Sequence, residues 1–210
     1  MTFLITSSAR LTKTVALGGL ATLATLGGLS ALSVPAEAVG PREAMDFALD
    51  TVHSSVNFEL THFGVSHAWG RFNEMEGSFS FDEEDLSKSK ISLAVMADSV
   101  DTNNEKRDQH LRGTDFFTTK QFPKITFESK SVKATGDNTM EVTGELTFLG
   151  KTQEVVADAT LVGMAETPQG YKAGFNATMT IDRTDFGCNT YLDSLGKDVT
   201  LHVSVEGVRR

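Results

Sequence analysis

Between residues 50 and 65 the chain reads DTVHSSVNFELTHFGV, with Val56, Phe58, Leu60 and His62 on one parity and Asn57, Glu59 and Thr61 on the other. A period of two marks a strand with one dry face and one wet face. The dry row ends in a histidine, a polar and titratable group that points to a pocket as much as to a core. The same alternation predicts eight strands, at 48–63, 68–81, 91–98, 122–132, 140–149, 152–162, 171–181 and 198–208. The last is the most regular, with Val199, Leu201, Val203 and Val205 in strict alternation. Between the third and fourth strands the pattern breaks. Thr102, Asn103 and Asn104 offer capping side chains ahead of residues 105–111, which carry no β-branched residue, so a short helix is expected there, with Gly113 as its stop. Gly150 and Lys151 are expected to turn the fifth strand into the sixth, with Gly at the first turn position of a type II′ loop.

Strands that are not interleaved with helices argue against a parallel α/β fold and leave a sandwich or a barrel. Eight antiparallel strands in up-and-down order close naturally into a barrel, which removes exposed edges. The expected fold is therefore all-β: a lipocalin-like, eight-stranded antiparallel up-and-down barrel with a short helix between strands three and four. A barrel of that size is either just filled by side chains or holds one small ligand. Beyond residue 38 there are thirteen Phe but one Trp and two Tyr, and Phe brings bulk without a polar group that needs a partner. Several inward positions are small: Gly144, Ala157, Ala159, Ala173 and Ala177. Phe and Ala on facing strands either leave a tunnel or interlock, and composition leaves both outcomes open.

The first 38 residues are expected to be a cleaved secretory signal peptide, with residues 39–210 forming a single domain. Arg10 and Lys13 precede a bland apolar run from 14 to 34, and Ala36-Glu37-Ala38 supplies the small-x-small pattern of a cleavage site. An uncleaved anchor is the alternative, but the glycines and threonines of the run favour cleavage. The destination is then periplasmic or secreted, with no stable membrane insertion once the leader is gone. Without Arg10, Lys13 and Glu37 the chain keeps 17 basic and 27 acidic residues, a net of −10. That charge repels nucleic acid and anionic membrane surfaces. Cys188 is the one cysteine, so no internal disulfide forms, and a buried, apolar role is expected for it.

Motifs of catalysis are largely missing. There is no Gly-x-Ser-x-Gly elbow, no His-Glu-x-x-His and no cysteine pair, so neither an expected catalytic residue nor a metal or cofactor follows from the sequence. A hydrolase built from Ser54, His62 and Asp108 would need an unrecognised motif and a preformed oxyanion hole.

A set of fragments, taken in order, resembles the YceI-like family of bacterial secreted proteins. The set begins with Val52-His53-Ser54, His62-Phe63-Gly64 and Gly70-Arg71-Phe72, and continues with Asp108-Gln109-His110-Leu111 and Asp115-Phe116-Phe117. Phe122-Pro123 leads to Ile125-Thr126-Phe127, and Val142-Thr143-Gly144-Glu145-Leu146-Thr147 leads to Gly150-Lys151-Thr152. Ile181-Asp182-Arg183-Thr184-Asp185-Phe186-Gly187 ends the set, which spans essentially all of the chain beyond the leader. The resemblance implies a non-catalytic binding protein, an apolar tunnel, an isoprenoid amphiphile such as a polyprenyl phosphate or isoprenoid quinone as ligand, and a tendency to form homodimers. A filled, stress-protective barrel is the alternative.

Strand parity then nominates tail-binding positions: Val56, Phe58, Leu60, Phe79, Phe81, Ile125, Phe127, Leu146, Phe148, Phe175 and Leu201. A head group needs polar residues at one mouth, and His62, Asp108, His110 and Arg183 are the candidates. Each has a duller role: a carbonyl-bonded core histidine for His62, an ion pair with Lys106, Arg112 or Arg183 for Asp108, and a tie between helix and barrel rim for Arg183. Asp108 and His110 are two apart and do not share a helix face. For His53-Ser54 a turn or cap role is expected.

Overall fold

In the computed structural model, which describes residues 43–210, the alternation becomes a closed antiparallel barrel. The signal peptide expected at 1–38 lies outside the described residues. The strands are β1 (Met45–Leu49), β2 (Ser55–His62), β3 (Ser66–Phe72), β4 (Met75–Phe81), β5 (Lys90–Met96), β6 (Val100–Asp101), β7 (Lys124–Ala134), β8 (Thr139–Phe148), β9 (Lys151–Thr167), β10 (Gly170–Asp182) and β11 (Leu195–Arg209). Helix α1 (Glu105–Leu111) falls where the capping residues predict it, and Asn104 Oδ1 accepts the Arg107 N–H at its start.

Neighbours run β1-β4-β5-β7-β8-β9-β10-β11, and β1 pairs back onto β11 to close the ring. Phe47 lies opposite Arg209 on one side and Phe79 on the other. Further along the same wall β2 takes the place of β1 beside β11, and β3 extends the line of β4. The first two expected strands are thus each split in two. Residues 50–54 leave the ladder because the Asp50 carboxylate accepts the N–H groups of Val52 and His53 at 3.1 and 3.3 Å. Ser54 holds the excursion to β11: its Oγ donates to Asp50 O at 2.7 Å and accepts the Glu206 N–H at 3.0 Å. The turn role expected for this segment is what the structure has. At the second break, Asn73 N donates to Ser99 O at 3.1 Å and Glu74 N to Ser99 Oγ at 3.0 Å, so the chain after β5 fills the gap.

The turn between β8 and β9 differs from expectation. Phe148 pairs with Lys151, so the two loop residues are Leu149 and Gly150, with φ of 51° and 72°. Two positive φ values make this a type I′ rather than a type II′ turn, the form whose twist matches the flanking strands.

Call the end of the barrel that carries the β2–β3 turn, α1 and the β10–β11 loop the upper end. Its wall between β3 and β5 is thin, because β6 pairs with β3 only through Arg71 and Phe72. Phe117, from the segment after α1, fills the space beneath, with its ring 6.4 Å from Phe58, 5.7 Å from Phe72 and 5.7 Å from Phe148. The lower end is covered by residues 82–89, where Leu86 packs on the core and Ser89 Oγ accepts the Asp82 N–H at 3.0 Å.

Candidate ligand-binding site

The inward rows of the strands face each other across one cavity of about 420 Å³. All eleven apolar positions nominated by parity line it. β2 and β11 supply matched pairs on one wall, with Val56 opposite Val203, Phe58 opposite Leu201 and Leu60 opposite Val199. The tip of the Phe58 ring lies against Gly70 of β3, where an added Cβ would collide with it. Lower down, Phe175 takes Phe79 and Phe81 edge-on at 5.4 and 5.0 Å, and Phe79 stacks on Phe47 at 4.9 Å. These offset and edge-on contacts are the favoured aromatic geometries. Ala157, Ala159 and Ala177 are among the residues that border the cavity. Cys188 is buried at 4% exposure, as expected, and borders the same space.

Polar side chains gather at the upper end, where His62, Arg107, His110, Tyr191 and Ser194 reach the cavity. His62 is exposed and lies edge-on to Phe63 at 4.7 Å, so it is not the buried core histidine of the duller alternative. His110 Nε2 is 2.8 Å from Asp115 Oδ2, and its ring meets Phe116 and Tyr191 edge-on at 5.2 and 5.9 Å. Arg107 donates from Nε to Thr102 Oγ1 and from Nη2 to Thr102 O, each at 2.7 Å.

The other two head-group candidates are engaged elsewhere. Asp108 is buried and does not line the cavity. Its Oδ1 accepts the Thr102 N–H at 2.9 Å and the Thr102 hydroxyl, which pins the chain ahead of α1. None of its expected ion pairs occurs among the described residues; Arg112 instead donates to Asp98 O and Val100 O at 2.7 and 2.9 Å. Arg183 borders the cavity but is only 3% exposed, and its guanidinium is spent on backbone carbonyls: Nε to Gly196 O at 2.9 Å, Nη1 to Cys188 O at 2.8 Å and Nη2 to Leu195 O at 3.1 Å. It staples the β10–β11 loop to itself rather than tying α1 to the rim.

On the outer wall Asp50, His53 and Glu206 bring three ligand-type atoms within 4.8 Å of one another. Lys172 Nζ already sits among them, 3.1 Å from Asp50 and 2.6 Å from Glu206, and supplies the cation that the carboxylates need. The hydrogen bond with the His53 ring, helped by Lys172 and the Val52 N–H, holds the Asp50 carboxyl at about 2. At the upper rim the Lys197 ammonium, with the hydroxyl and N–H of Thr184, does the same for Asp182, again at about 2. Carboxyls lowered from 3.8 favour the folded state above that pH, and this contribution is lost as pH falls from 3.8 towards about 2. Denaturant midpoints are therefore expected to fall across that window, and less steeply in Asp182→Asn. Equal slopes in the two proteins would remove Asp182 from the account.

This geometry defines a class: a closed antiparallel barrel around an apolar cavity whose charged and titratable lining residues, His62, Arg107, His110, Arg183 and Tyr191, lie at its upper end. A family model described as YceI-like domain matches residues 47–207, and the chain belongs to that family. A UPF0312 protein of Pseudomonas aeruginosa is 41% identical over 192 residues, 90% of this chain and 98% of its own. Protein YceI of Escherichia coli is 40% identical over 174 residues, 81% of this chain and 91% of its own. Among solved structures, the YCEI protein of Campylobacter jejuni superposes with a TM-score of 0.63 at 30% identity, covering 70% of this chain and 86% of that one. A polyisoprenoid binding domain from Saccharophagus degradans gives 0.64 at 15% identity, covering 79% and 99%, a likeness of fold.

Parity reasoning missed several residues of the site. Phe117, Arg107, Leu111 and Tyr191 come from the helix and loops, where no period of two operates. Met140, Val142, Met179 and Ile181 share the inward rows of β8 and β10 and were within its reach.

Proposed function

We propose that the protein binds a long-chain isoprenoid amphiphile and sequesters or carries it, with the apolar tail in the barrel and the polar head at the upper end beside His62, Arg107 and His110. The observation that carries this reading is the cavity itself, about 420 Å³ with a wall made almost wholly of carbon. A hydrocarbon tail has no polar group to satisfy, so its burial is driven by apolar area at ~25 cal/mol per Å² and asks little more of the wall than Phe, Val, Leu and Ala. Membership of the YceI-like family and the fold shared with a domain named for polyisoprenoid binding support the same ligand class. The proposed role is binding without catalysis, in the periplasm or outside the cell, where a soluble carrier keeps such a lipid from aggregating.

Native mass spectrometry of the purified protein, followed by solvent extraction and lipid mass analysis, tests the reading. The expected result is a bound species released only on unfolding, with mass increments of isoprene units. An apo mass, together with no uptake of added polyprenyl phosphate or quinone, would count against it.

A further inference from the structure

The described residues include eight exposed large apolar side chains, and five of them, Phe63, Val65, Trp69, Tyr191 and Leu192, stand on the two segments that frame the upper mouth. Phe63 and Val65, at 65% and 84% exposure, form the tip between β2 and β3, and Tyr191 and Leu192, at 52% and 48%, form a turn in the β10–β11 loop. The two tips are side by side: Phe63 N donates to Ser194 O at 2.7 Å, and Leu195 pairs with His62. His62, Tyr191 and Ser194 of the same segments line the cavity, so the apolar tips and the mouth are one surface. Phe63 and Tyr191 have φ of 51° and 56°. That left-handed conformation suits Gly or Asn and disfavours an aromatic residue, so turn formation does not account for the rings. Trp69 stands further along β3, stacked on His202 at 5.4 Å.

We propose that the upper mouth docks reversibly on a zwitterionic lipid bilayer, with Phe63, Val65 and Leu192 entering the interface, and that ligand is loaded and released there. The proposal rests on the lipid-ligand reading, because a ligand that water does not dissolve must cross between a membrane and the barrel. At the lower end Leu86 packs on the core, whereas the exposed apolar tips stand at the upper end, which makes the upper mouth the side that would meet a membrane. Charge selects the kind of bilayer. A chain of formal net charge −9 is repelled by an anionic surface and gains only from apolar burial at a neutral one. Shape separates a bilayer from a second copy of the chain. A stable protein interface needs a continuous patch of ~800 Å² per partner, whereas two narrow turn tips suit a soft interface. Tyr and Trp are also enriched at that boundary, and Phe and Leu suit its apolar side.

The test is flotation of the purified protein with phosphatidylcholine vesicles, set beside a Phe63→Asn, Val65→Ser, Leu192→Ser variant. None of these three residues lines the cavity, and the variant keeps the same N-terminal segment as the wild type. The wild type is expected to float, and the variant to float about tenfold less, since interfacial binding scales with buried apolar area. The variant is also expected to exchange lipid with vesicles more slowly while holding as much co-purified lipid as the wild type. Equal flotation of the two proteins, or a wild type that stays at the bottom, overturns the proposal. So does stronger flotation with phosphatidylglycerol vesicles, or wild-type dimerisation that the variant loses without any vesicle binding. A protein that floats yet never holds lipid supports docking and sinks the ligand reading; one that holds lipid and does not float sinks docking alone.

Discussion

An Ala177→Phe protein is expected to melt within a few degrees of the wild type and to retain almost no lipid. Ala177 lies midway along β10, opposite Ala159 of β9 on one side and Val203 of β11 on the other. Both alanines face the cavity, so the new ring has a void to enter rather than neighbours to displace. Overpacking a filled core typically costs ~1–3 kcal/mol, and an existing void holds this substitution to the lower part of that range. The loss for the ligand is larger. At ~0.8 kcal/mol per buried methylene, excluding only four carbons from the barrel costs ~3 kcal/mol, about a hundredfold in Kd. Lipid extracted per mole of protein, read beside a thermal melt, checks both halves. Full retention in a folded variant would mean that the tail does not pass Ala177.

The second large effect is on stability. Arg183→Met keeps the aliphatic stem but removes the donors that serve Gly196 O, Cys188 O and Leu195 O. A buried acceptor left without a partner costs ~1–3 kcal/mol. With partial relaxation towards water, the three together are expected to cost ~3–5 kcal/mol, a fall in Tm on the order of 10 °C for a domain of this size. The β10–β11 loop should loosen first, seen as faster amide exchange around Cys188 and Leu195. A loss below ~1 kcal/mol would mean that water replaces the guanidinium and that the staple is dispensable.

The two residues at issue show where the sequence was legible and where it was not. Ala177 was visible as a small inward position because parity within a strand is a local property, and the same rule placed all eleven nominated apolar residues on one cavity. The capping asparagine gave the helix for the same reason, since its partner lies three residues away. Arg183 was legible as a special residue but not as a staple, because its acceptors lie on a loop whose path the sequence does not state. Asp108 misled in a similar way: as a polar residue on the helix it was a head-group candidate, whereas its partner is Thr102, six residues earlier, in a turn the period of two does not describe. For 50–54 a turn or cap role was legible at His53-Ser54, but the end of the ladder was not, because Asp50 ends it with its side chain and apolar alternation carries no trace of that. Phe117 was quoted only as part of a fragment, and its place in the upper end follows from the fold of the loop alone.

Closure of the ring through β1 and β11 sets a constraint on folding order. Phe47 completes its pairing only when Arg209 arrives, so the first strand of the ring waits for nearly the whole chain. Hairpins such as β8–β9 can form locally, but the seam joins residues at the extremes of the described sequence, and contacts of such long separation fold in milliseconds to seconds rather than microseconds. Until the seam closes, the strands at either side of it expose unpaired edges and the Phe-rich interior stays open to water. A chain with this topology has a window in which it is more vulnerable to proteases than the finished barrel, and a truncation that removes Gly207, Val208 and Arg209, which pair with β1, prolongs that window.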